Sequence, residues 1–303
     1  MLTVFGSINI DLVISVPAIA APGETVLGNL VAEFPGGKGA NQAVAAARAV
    51  DNSLRVVMVG ATGDDNHGKM ASNALASAGV SPMLFVDPDN VTGTAIIVID
   101  ENGENAITVI PGANNSLLSG HIPDSALKAE FLLCQAEVPM ASTRATIVNY
   151  KQANPEGRTI LNLAPVPALT RDELSQILRD IDFLIVNRSE GARVETILGK
   201  KLPSIANEQN LVIVVTLGAE GAVIHSGKAK AERISTLAVD PVDTTGAGDT
   251  FCGVFAAMLC EGKDIENATR IACGAGALAC CVTGAQGTIP NYKEELKKLK
   301  NKK

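Results

Sequence analysis

The sequence predicts an α/β protein with a three-layer α/β/α architecture, in which a mostly parallel central sheet is joined by a small β-sheet lid. Short apolar runs rich in β-branched residues alternate with longer helical patterns, as in parallel sheets covered on both faces. Two regions, about residues 12–34 and 93–111, break this alternation. With 47% hydrophobic and 19% charged residues, the 303-residue chain can form a sizeable core. We expect one domain over residues 1–303, with the lid inserted in it.

Six apolar runs have the length and composition of buried strands. They span residues 2–5, 54–59, 131–135, 159–163, 183–186 and 211–216. Five longer segments between or after them have helical patterns. They span residues 40–50, 68–78, 140–153, 171–180 and 248–259.

The two irregular regions predict a small antiparallel sheet. Residues 94–100 and 106–110 flank Glu101-Asn102-Gly103-Glu104, and Asn-Gly is a strong turn signal for a β-hairpin. So small a sheet leaves an apolar face that needs cover. We therefore expect a lid that closes over a substrate, pairs with a second subunit, or does both.

Charge and cysteine usage argue against several classes of protein. A net charge of −7 and a pI of about 5.1 do not suit a nucleic-acid-binding protein, which needs a basic surface. The six cysteines form no CxxC pair and there are only three histidines, so we expect no zinc site. No segment has the pattern of a membrane span or a signal peptide. We expect a cytoplasmic protein with reduced cysteines.

The strongest chemical signal is the glycine turn Gly246-Ala247-Gly248, which leads through Asp249 into an apolar helical pattern. Free N–H groups at a helix N-terminus attract an anion, and small residues let phosphate oxygens approach. An aspartate in the first turn is well placed to accept the proton of an attacking hydroxyl. The alternative is that Asp249 only caps the helix. Because GxxxxGK[ST] and an early GxGxxG are both absent from the sequence, we expect neither a P-loop protein nor a Rossmann dehydrogenase.

A second glycine turn, in GGKGANQ at residues 36–42, precedes an Ala-rich helical pattern. Its donors suit a polyhydroxy ligand, although a solvated lysine at a helix start is the alternative. Asn9 and Asp11 alternate onto one face at the end of the first predicted strand. Polar residues and glycines also follow three other strands, namely Glu137, Asn187, Glu190, Thr216, Gly218 and Gly221. Because ligands of open α/β sheets bind at the carboxyl ends of strands, we expect one site along this edge.

Taken together, the motifs resemble those of the ribokinase-like (PfkB) carbohydrate kinases. The matching segments occur in the family's order and cover essentially the whole chain. They are GSINID at 6–11, GGKGANQ at 36–42, TGDD at 62–65, GAN at 112–114, QAEVP at 135–139, LNLAP at 161–165, TLGAEG at 216–221, DTTGAGDTF at 243–251 and GAQGTIP at 284–290. The GAGD and GGKGANQ segments are highly specific.

The resemblance implies a role for each matching position. Asp249 would deprotonate the sugar's primary hydroxyl, and Gly246, Ala247 and Gly248 would form the anion hole for the phosphoryl group. The sugar would be bound by Asn9, Asp11, Gly37, Lys38, Asn41, Glu137 and Asp249. The ATP site would be lined by Asn187, Thr216, Leu217, Gly218, Ala219, Glu220, Gly221, Gly248 and Cys273. Glu190 would arrange Mg²⁺ through water, and the K⁺ positions are Asp243, Thr245, Ala279, Val282, Gly284 and Thr288.

The resemblance therefore predicts ATP-dependent phosphorylation of D-ribose at its 5-hydroxyl, giving D-ribose 5-phosphate and ADP, by a homodimer that pairs through the lid sheet. A kinase for another sugar or a nucleoside, such as deoxyribose, fructose or adenosine, is the alternative. A sugar-binding regulator without catalysis is a second alternative, although the glycine turn and Asp249 are both intact.

Three positions depart from the family pattern. Arg188 adds a positive charge beside Asn187 that could alter phosphate affinity. Thr288 replaces a serine but keeps the hydroxyl, so we expect the ion site to survive. Cys273 offers only weak hydrogen bonding at the expected adenine pocket.

Overall fold

The structure is a computed structural model that describes residues 1–50, 54–227, 231–281 and 286. The strands of this part of the chain are β1 Leu2–Phe5, β2 Asn9–Ser15, β3 Asn29–Gly36, β4 Val56–Gly63, β5 Val80–Asp87, β6 Gly93–Ile99, β7 Asn105–Ile110, β8 Phe131–Gln135, β9 Arg158–Asn162, β10 Phe183–Asn187, β11 Val212–Thr216, β12 Ala222–Ser226 and β13 Glu232–Ile234. The helices are α1 Lys38–Ala49, α2 Asn66–Ser77, α3 Asp124–Leu127, α4 Met140–Ala153, α5 Arg171–Arg179, α6 Arg188–Leu198, α7 Leu202–Gln209, α8 Ala247–Cys260 and α9 Ile265–Ala279.

The central sheet has the strand order β13-β12-β11-β10-β9-β8-β1-β4-β5. Neighbouring strands from β11 to β5 are parallel, whereas β12 is antiparallel to both β11 and β13. The predicted mostly parallel sheet is confirmed. The chain proceeds outward from β1 to β4 and β5, and then returns to β8 on the other side of β1. Such a reversal of strand order opens a crevice beyond the carboxyl ends of the two strands that flank it, here β8 and β1.

Helices cover both faces of this sheet. Residues that are adjacent in a strand point to opposite faces. Val4 and Met58 accordingly join a buried cluster with α1, α2, α8 and α9, whereas Phe5 and Val57 join a second cluster with α4, α5, α6 and α7. The predicted three-layer α/β/α architecture is therefore confirmed.

A separate sheet with the order β3-β2-β6-β7 forms the predicted lid. Strands β6 and β7 are the expected hairpin, in which Gly103 has a φ of 81° and Asp100 Oδ1 accepts a hydrogen bond from the Asn102 N–H at 2.8 Å. The expectation of a fully antiparallel sheet is wrong, because β2 and β6 run parallel. These two strands follow β1 and β5, which are themselves parallel members of the central sheet, and so leave it in the same direction.

The outer strands of the lid carry apolar side chains that are open to solvent. Leu30 and Val31 on β3 are 58% and 62% exposed, and Ile107 and Val109 on β7 are 57% and 50% exposed. An apolar surface of this kind on a small sheet is typical of an interaction site.

The predicted strands and helices are present, with ends shifted by a few residues. One shift matters for the site, because β1 ends at Phe5 and both Asn9 and Asp11 lie in the lid strand β2. Sequence reasoning missed β5, β12, β13, α3, α6, α7 and α9. Strand β5 is a half-buried edge strand, and α9 is built largely from Ala, Gly and Cys, so neither has a strong apolar pattern. In the described part of the chain, every helix is too short or too polar to cross a membrane.

Candidate active site

A cavity of about 130 Å³ lies where the carboxyl ends of the parallel strands meet. Its lining residues are Lys38, Asn162, Ala164, Ile185, Val186, Asn187, Glu190, Thr216, Gly248, Asp249 and Cys252. The start of α1, the ends of β9, β10 and β11, and the start of α8 are thus brought together. A second cavity, of about 170 Å³ between α5, α6 and α7, contains none of the predicted site residues.

Asp249 lies in the first turn of α8 and is only 7% exposed. The cap position of this helix is Gly246, whose φ of 76° is in the left-handed region that favours glycine. A Cβ on Gly248 would meet no atom within 4 Å, so the glycine turn leaves open space beside the carboxylate. The alternative that Asp249 only caps its helix is wrong, since Gly246 is the cap residue and the Asp249 carboxylate is bound by a different helix.

Two side-chain amides of α1 hold this carboxylate. Asn41 Nδ2 donates to Asp249 Oδ2 at 3.0 Å, and Gln42 Nε2 donates to Asp249 Oδ1 at 3.0 Å. The two helices can approach because α8 has Gly253 at the crossing, where a Cβ would lie 2.2 Å from the Gln42 carbonyl oxygen. Because the three side chains are buried, little water competes for these hydrogen bonds.

Glu137, just after β8, forms hydrogen bonds with the loop between β1 and β2 and with the start of α1. Its Oε2 accepts hydrogen bonds from the Ser7 hydroxyl at 2.6 Å and from the Lys38 N–H at 3.0 Å. Its Oε1 lies 3.9 Å from Lys38 Nζ. Gly37 precedes this lysine with a φ of 87°, and a Cβ there would lie 2.7 Å from the Asn9 backbone nitrogen. The close approach of α1 to β2 therefore requires glycine at this position.

Acidic groups surround a single lysine at this end of the site. Burial raises the pKa of Asp11 to about 6, with further contributions from the charges of Glu137 and Asp249 and an opposing one from Lys38. The pKa of Lys38 is raised mainly by Asp249 and also by Glu137, against the effect of burial. Lys38 therefore keeps its positive charge at neutral pH. Perturbed carboxyl groups gathered in a cleft are typical of a functional site.

Asn9 is 4% exposed, and another buried amide determines its orientation. Asn114 Nδ2 donates to Asn9 Oδ1 at 2.8 Å and to the Ile8 carbonyl at 3.0 Å, and Asn114 Oδ1 accepts from the Ile8 N–H at 2.9 Å. With its oxygen engaged, Asn9 has its NH₂ group to offer to a ligand. Gly93 makes room for this pair, because a Cβ there would lie 2.2 Å from Asn114 Nδ2.

Asn187 and Glu190 line the cavity and also form the capping box of α6. Asn187 Oδ1 accepts from the Glu190 N–H at 2.9 Å, and Glu190 Oε2 accepts from the Asn187 N–H at 2.7 Å. Burial raises the pKa of Glu190, opposed by the Asn187 hydrogen bond and by Lys38. The capping box fixes both residues at the cavity wall before any ligand binds.

The turn after β11 is shaped by two glycines in the left-handed region, Gly218 and Gly221. Its Glu220 accepts hydrogen bonds from both Arg188 and Arg233, so the added charge of Arg188 is partly offset. Within the described part of the chain, Thr216 is the one residue of the predicted 216–221 segment that lines the cavity.

Cys273, the predicted adenine-site residue, is also missing from the described lining of the cavity. It lies in α9 and is 6% exposed, and burial raises the pKa of its thiol to about 12. The Thr236 hydroxyl donates to its backbone carbonyl at 2.8 Å. The structure therefore does not place this thiol in the wall of the cavity that contains Lys38, Gly248 and Asp249.

Half of the predicted K⁺ positions can be located. Asp243, Thr245 and Ala279 are described, whereas Val282, Gly284 and Thr288 lie outside the described residues. The Thr245 N–H donates to Asp243 Oδ1 at 2.8 Å, and the Asp243 N–H donates to the Cys280 carbonyl at 3.1 Å. The segment before α8 is thereby attached to the end of α9. Over the described residues, no cluster of three or more His, Cys, Asp or Glu side chains could hold a metal.

Sequence reasoning assigned no role to several polar residues that the structure places in or behind the site. They are Ser7, Gln42, Asn114, Gln135 and Asn162. Each lies within one of the motifs that carry the family resemblance, which was the one available signal. Their contacts join segments that are far apart in the chain, and no local pattern indicates them.

The chain is similar over nearly its full length to known carbohydrate kinases. A family model described as pfkB family carbohydrate kinase matches residues 1–291. The ribokinase of Bacillus subtilis is 37% identical and the alignment covers 96% of each chain, and that of Haemophilus influenzae is 35% identical, with 99% of this chain and 98% of the relative covered. A solved structure of Arabidopsis thaliana ribokinase complexed with ribose and ATP has a TM-score of 0.84 at 30% identity, with 99% of this chain and 98% of that chain covered. The chain therefore belongs to the pfkB family of carbohydrate kinases.

Proposed function

We propose that this chain transfers the γ-phosphoryl group of ATP to the 5-hydroxyl of D-ribose, giving D-ribose 5-phosphate and ADP. Full-length relatives at 35–37% identity are ribokinases, and one solved relative is a complex with ribose and ATP. The observation that carries the proposal is the buried Asp249 carboxylate, which Asn41 and Gln42 hold at the glycine turn of α8. The charged side chains of Asp11, Lys38 and Glu137 lie beside it.

The proposed sugar-binding residues surround this carboxylate. They are Asn9, Asp11, Gly37, Lys38, Asn41, Glu137 and Asp249. Their carboxylates and amides can form hydrogen bonds with several sugar hydroxyls and so hold the sugar in one orientation. Orientation of this kind can account for much of the rate enhancement of a transfer reaction. Asp249 accepts the proton of the 5-hydroxyl while the oxygen of that hydroxyl bonds to the γ-phosphorus. The bond between this phosphorus and the oxygen that remains with ADP breaks in the same step.

The N-terminus of α8 is the proposed anion hole. Gly246, Ala247 and Gly248 would offer backbone N–H groups and the positive end of the helix dipole to the migrating phosphoryl group. The Ala247 N–H, which donates to the Thr244 carbonyl at 3.3 Å, would exchange that partner for the phosphoryl group. Lys38, which lines the same cavity, adds a positive charge. Donors that are fixed in advance stabilise charge that develops in the transition state without any reorganisation.

ATP is proposed to approach from the β10 and β11 side, with contacts from Asn187, from the 216–221 segment and, on the adenine side, from Cys273. Mg²⁺ would neutralise phosphate charge, and it is held mainly by phosphates and water in sites of this kind. Glu190 at the cavity wall is suited to orient such waters. Asp243, Thr245 and Ala279, with Val282, Gly284 and Thr288, would supply oxygens to K⁺ beside the anion hole.

The assembly and location of the protein are part of the same proposal. Residues 1–303 form one domain, and two copies pair through their lid sheets, which would cover the exposed side chains of β3 and β7. We place the protein in the cytoplasm, where its six cysteines would be kept as free thiols.

A panel of acceptors tests the proposed substrate. ADP formation from ATP and Mg²⁺ is measured with D-ribose, 2-deoxyribose, fructose and adenosine, with K⁺ present. We expect the highest kcat/KM for D-ribose and a 5-phosphate as product. Equal or better use of another acceptor would replace ribose as the substrate, and sugar binding without turnover would favour the regulator.

A further inference from the structure

A chain of buried amides extends from the Asp249 carboxylate into the protein. Gln42 and Gln135 are both 0% exposed, and Asn162 is 7% exposed. We propose that Gln42 is a positioning residue for phosphoryl transfer, which orients the Asp249 carboxylate, and that Gln135 fixes the direction of the Gln42 amide. The inference deepens the proposed function and rests on Asp249 being the base.

Gln42 uses its whole amide in this chain. Its Nε2 donates to Asp249 Oδ1 at 3.0 Å and to Asn162 Oδ1 at 3.0 Å, and its Oε1 accepts from Gln135 Nε2 at 2.7 Å. Both ends of the side chain are therefore held, and rotation about its last bond would break all three hydrogen bonds. A group held in this way transmits its own orientation to the carboxylate.

Two groups that can only accept hydrogen bonds determine which end of each amide donates and which accepts. A carboxylate oxygen only accepts at neutral pH, and so does a backbone carbonyl. Asn162 Nδ2 donates to the Ile185 carbonyl at 3.2 Å, which turns Asn162 Oδ1 towards Gln42. Gln42 thus faces two acceptors with its NH₂ group, and its oxygen must face a donor. Gln135 supplies that donor.

A purely structural role does not explain why position 135 is a glutamine, because this side chain buries an unpaired polar atom. Its Oε1 has no partner among the described residues, although a buried polar atom is normally paired. Gly6 makes room for this side chain, because a Cβ there would lie 1.9 Å from Gln135 Oε1. An apolar side chain would remove this unpaired oxygen, but it would also leave Gln42 Oε1 without the donor that Gln135 supplies. The contact that Gln135 does make, with Gln42, is therefore the one that explains its presence.

Substitutions in the full-length chain test this arrangement. Gln42→Leu should lower kcat by about 10- to 100-fold, because a displaced catalytic group loses rate steeply. KM for sugar and ATP should stay within about fivefold, since Gln42 contacts the base and not the predicted ligands. Gln135→Leu should lower kcat by about 3- to 10-fold through the loosened Gln42.

The double variant separates a relay from two independent effects. If Gln135 acts through Gln42, then Gln42→Leu with Gln135→Leu should have the kcat of Gln42→Leu alone, within about twofold. Tyr150→Phe is the matched control, because it also removes one fully buried hydrogen bond, from the Tyr150 hydroxyl to the Ala129 carbonyl at 2.8 Å, but far from the site. Its kcat should equal that of wild type.

The assays use whichever acceptor the wild-type protein turns over fastest, so that a wrong sugar would not affect this test. An unchanged kcat in Gln42→Leu would overturn the proposal, as would losses that multiply in the double variant or an equal loss in Tyr150→Phe. Should Gln42→Leu fail to fold, Gln135→Leu decides alone: a reduced kcat with unchanged KM supports the relay, and an unchanged kcat removes it.

Discussion

Replacing Asp11 by asparagine should stabilise the ligand-free protein while it weakens sugar binding. The ionised Asp11 carboxylate is costly in the folded state, because it is largely buried and lies near the charges of Glu137 and Asp249. An asparagine keeps the size and the polar atoms of the side chain but removes the charge. A site built for a ligand often carries such a cost in stability.

The size and pH dependence of the effect follow from the pKa of Asp11. Its rise from 3.8 to about 6 corresponds to at most about 3 kcal/mol. A carboxyl group with a raised pKa favours folding below its unfolded pKa, and this advantage is lost as the pH rises through the folded value. The extra stability of Asp11→Asn should therefore grow between about pH 4 and pH 6 and stay constant above pH 6.

Urea unfolding of the ligand-free protein at several pH values between 4.5 and 8 measures this difference. Asp89→Asn, an exposed aspartate in the loop after β5, is the charge-matched control. In parallel, sugar affinity should fall by about 10- to 100-fold, because a hydrogen bond to a charged group contributes about 1.5–3 kcal/mol. An Asp11→Asn protein that is less stable than wild type at pH 8, or that binds sugar normally, would refute the reasoning.

Two further predictions concern helix packing and the ion site. Gly253→Ala should cost about 1–3 kcal/mol and lower kcat, because a Cβ 2.2 Å from the Gln42 carbonyl oxygen forces α8 away from α1. Thermal unfolding checks this, with Gly120→Ala, where a Cβ meets nothing within 4 Å, as control. Replacing K⁺ by Na⁺ should lower kcat in wild type and have little effect in Asp243→Ala. Equal rates with both ions in wild type would argue against the ion site.

The architecture was predictable because the apolar patterns are strong where strands are buried on both faces. Short apolar runs, most of them rich in β-branched residues, predicted the parallel strands from β8 to β11 nearly to the residue. The pattern is weaker where burial is partial, as in the edge strand β5. The capping box of Asn187 and Glu190 was visible in the sequence, but it was interpreted as ligand chemistry alone, and so α6 was missed.

The site was predictable as a set of residues but not as a network. Family motifs identified Asp249, Asn41 and Lys38 as site residues. They did not indicate that Gln42 would contact Asp249, which is 207 residues away in the chain. Such a contact depends on how α1 and α8 cross, and therefore on Gly253 and on the close packing it allows. Tertiary geometry of this kind has no signal in local composition or periodicity.

The most direct test of the central claim compares binding and transfer in Asp249→Ala. Ribose and ATP affinities are measured by calorimetry, and sugar phosphate formation is measured in a single turnover. We predict that ATP binds within about tenfold of wild type and that ribose binds up to about 100-fold more weakly, because a hydrogen bond to a charged group is lost. Transfer at saturating ribose should fall by about 10²–10⁴-fold, the contribution expected of a general base. Transfer at a rate close to that of wild type would show that Asp249 is not the base and would contradict the account.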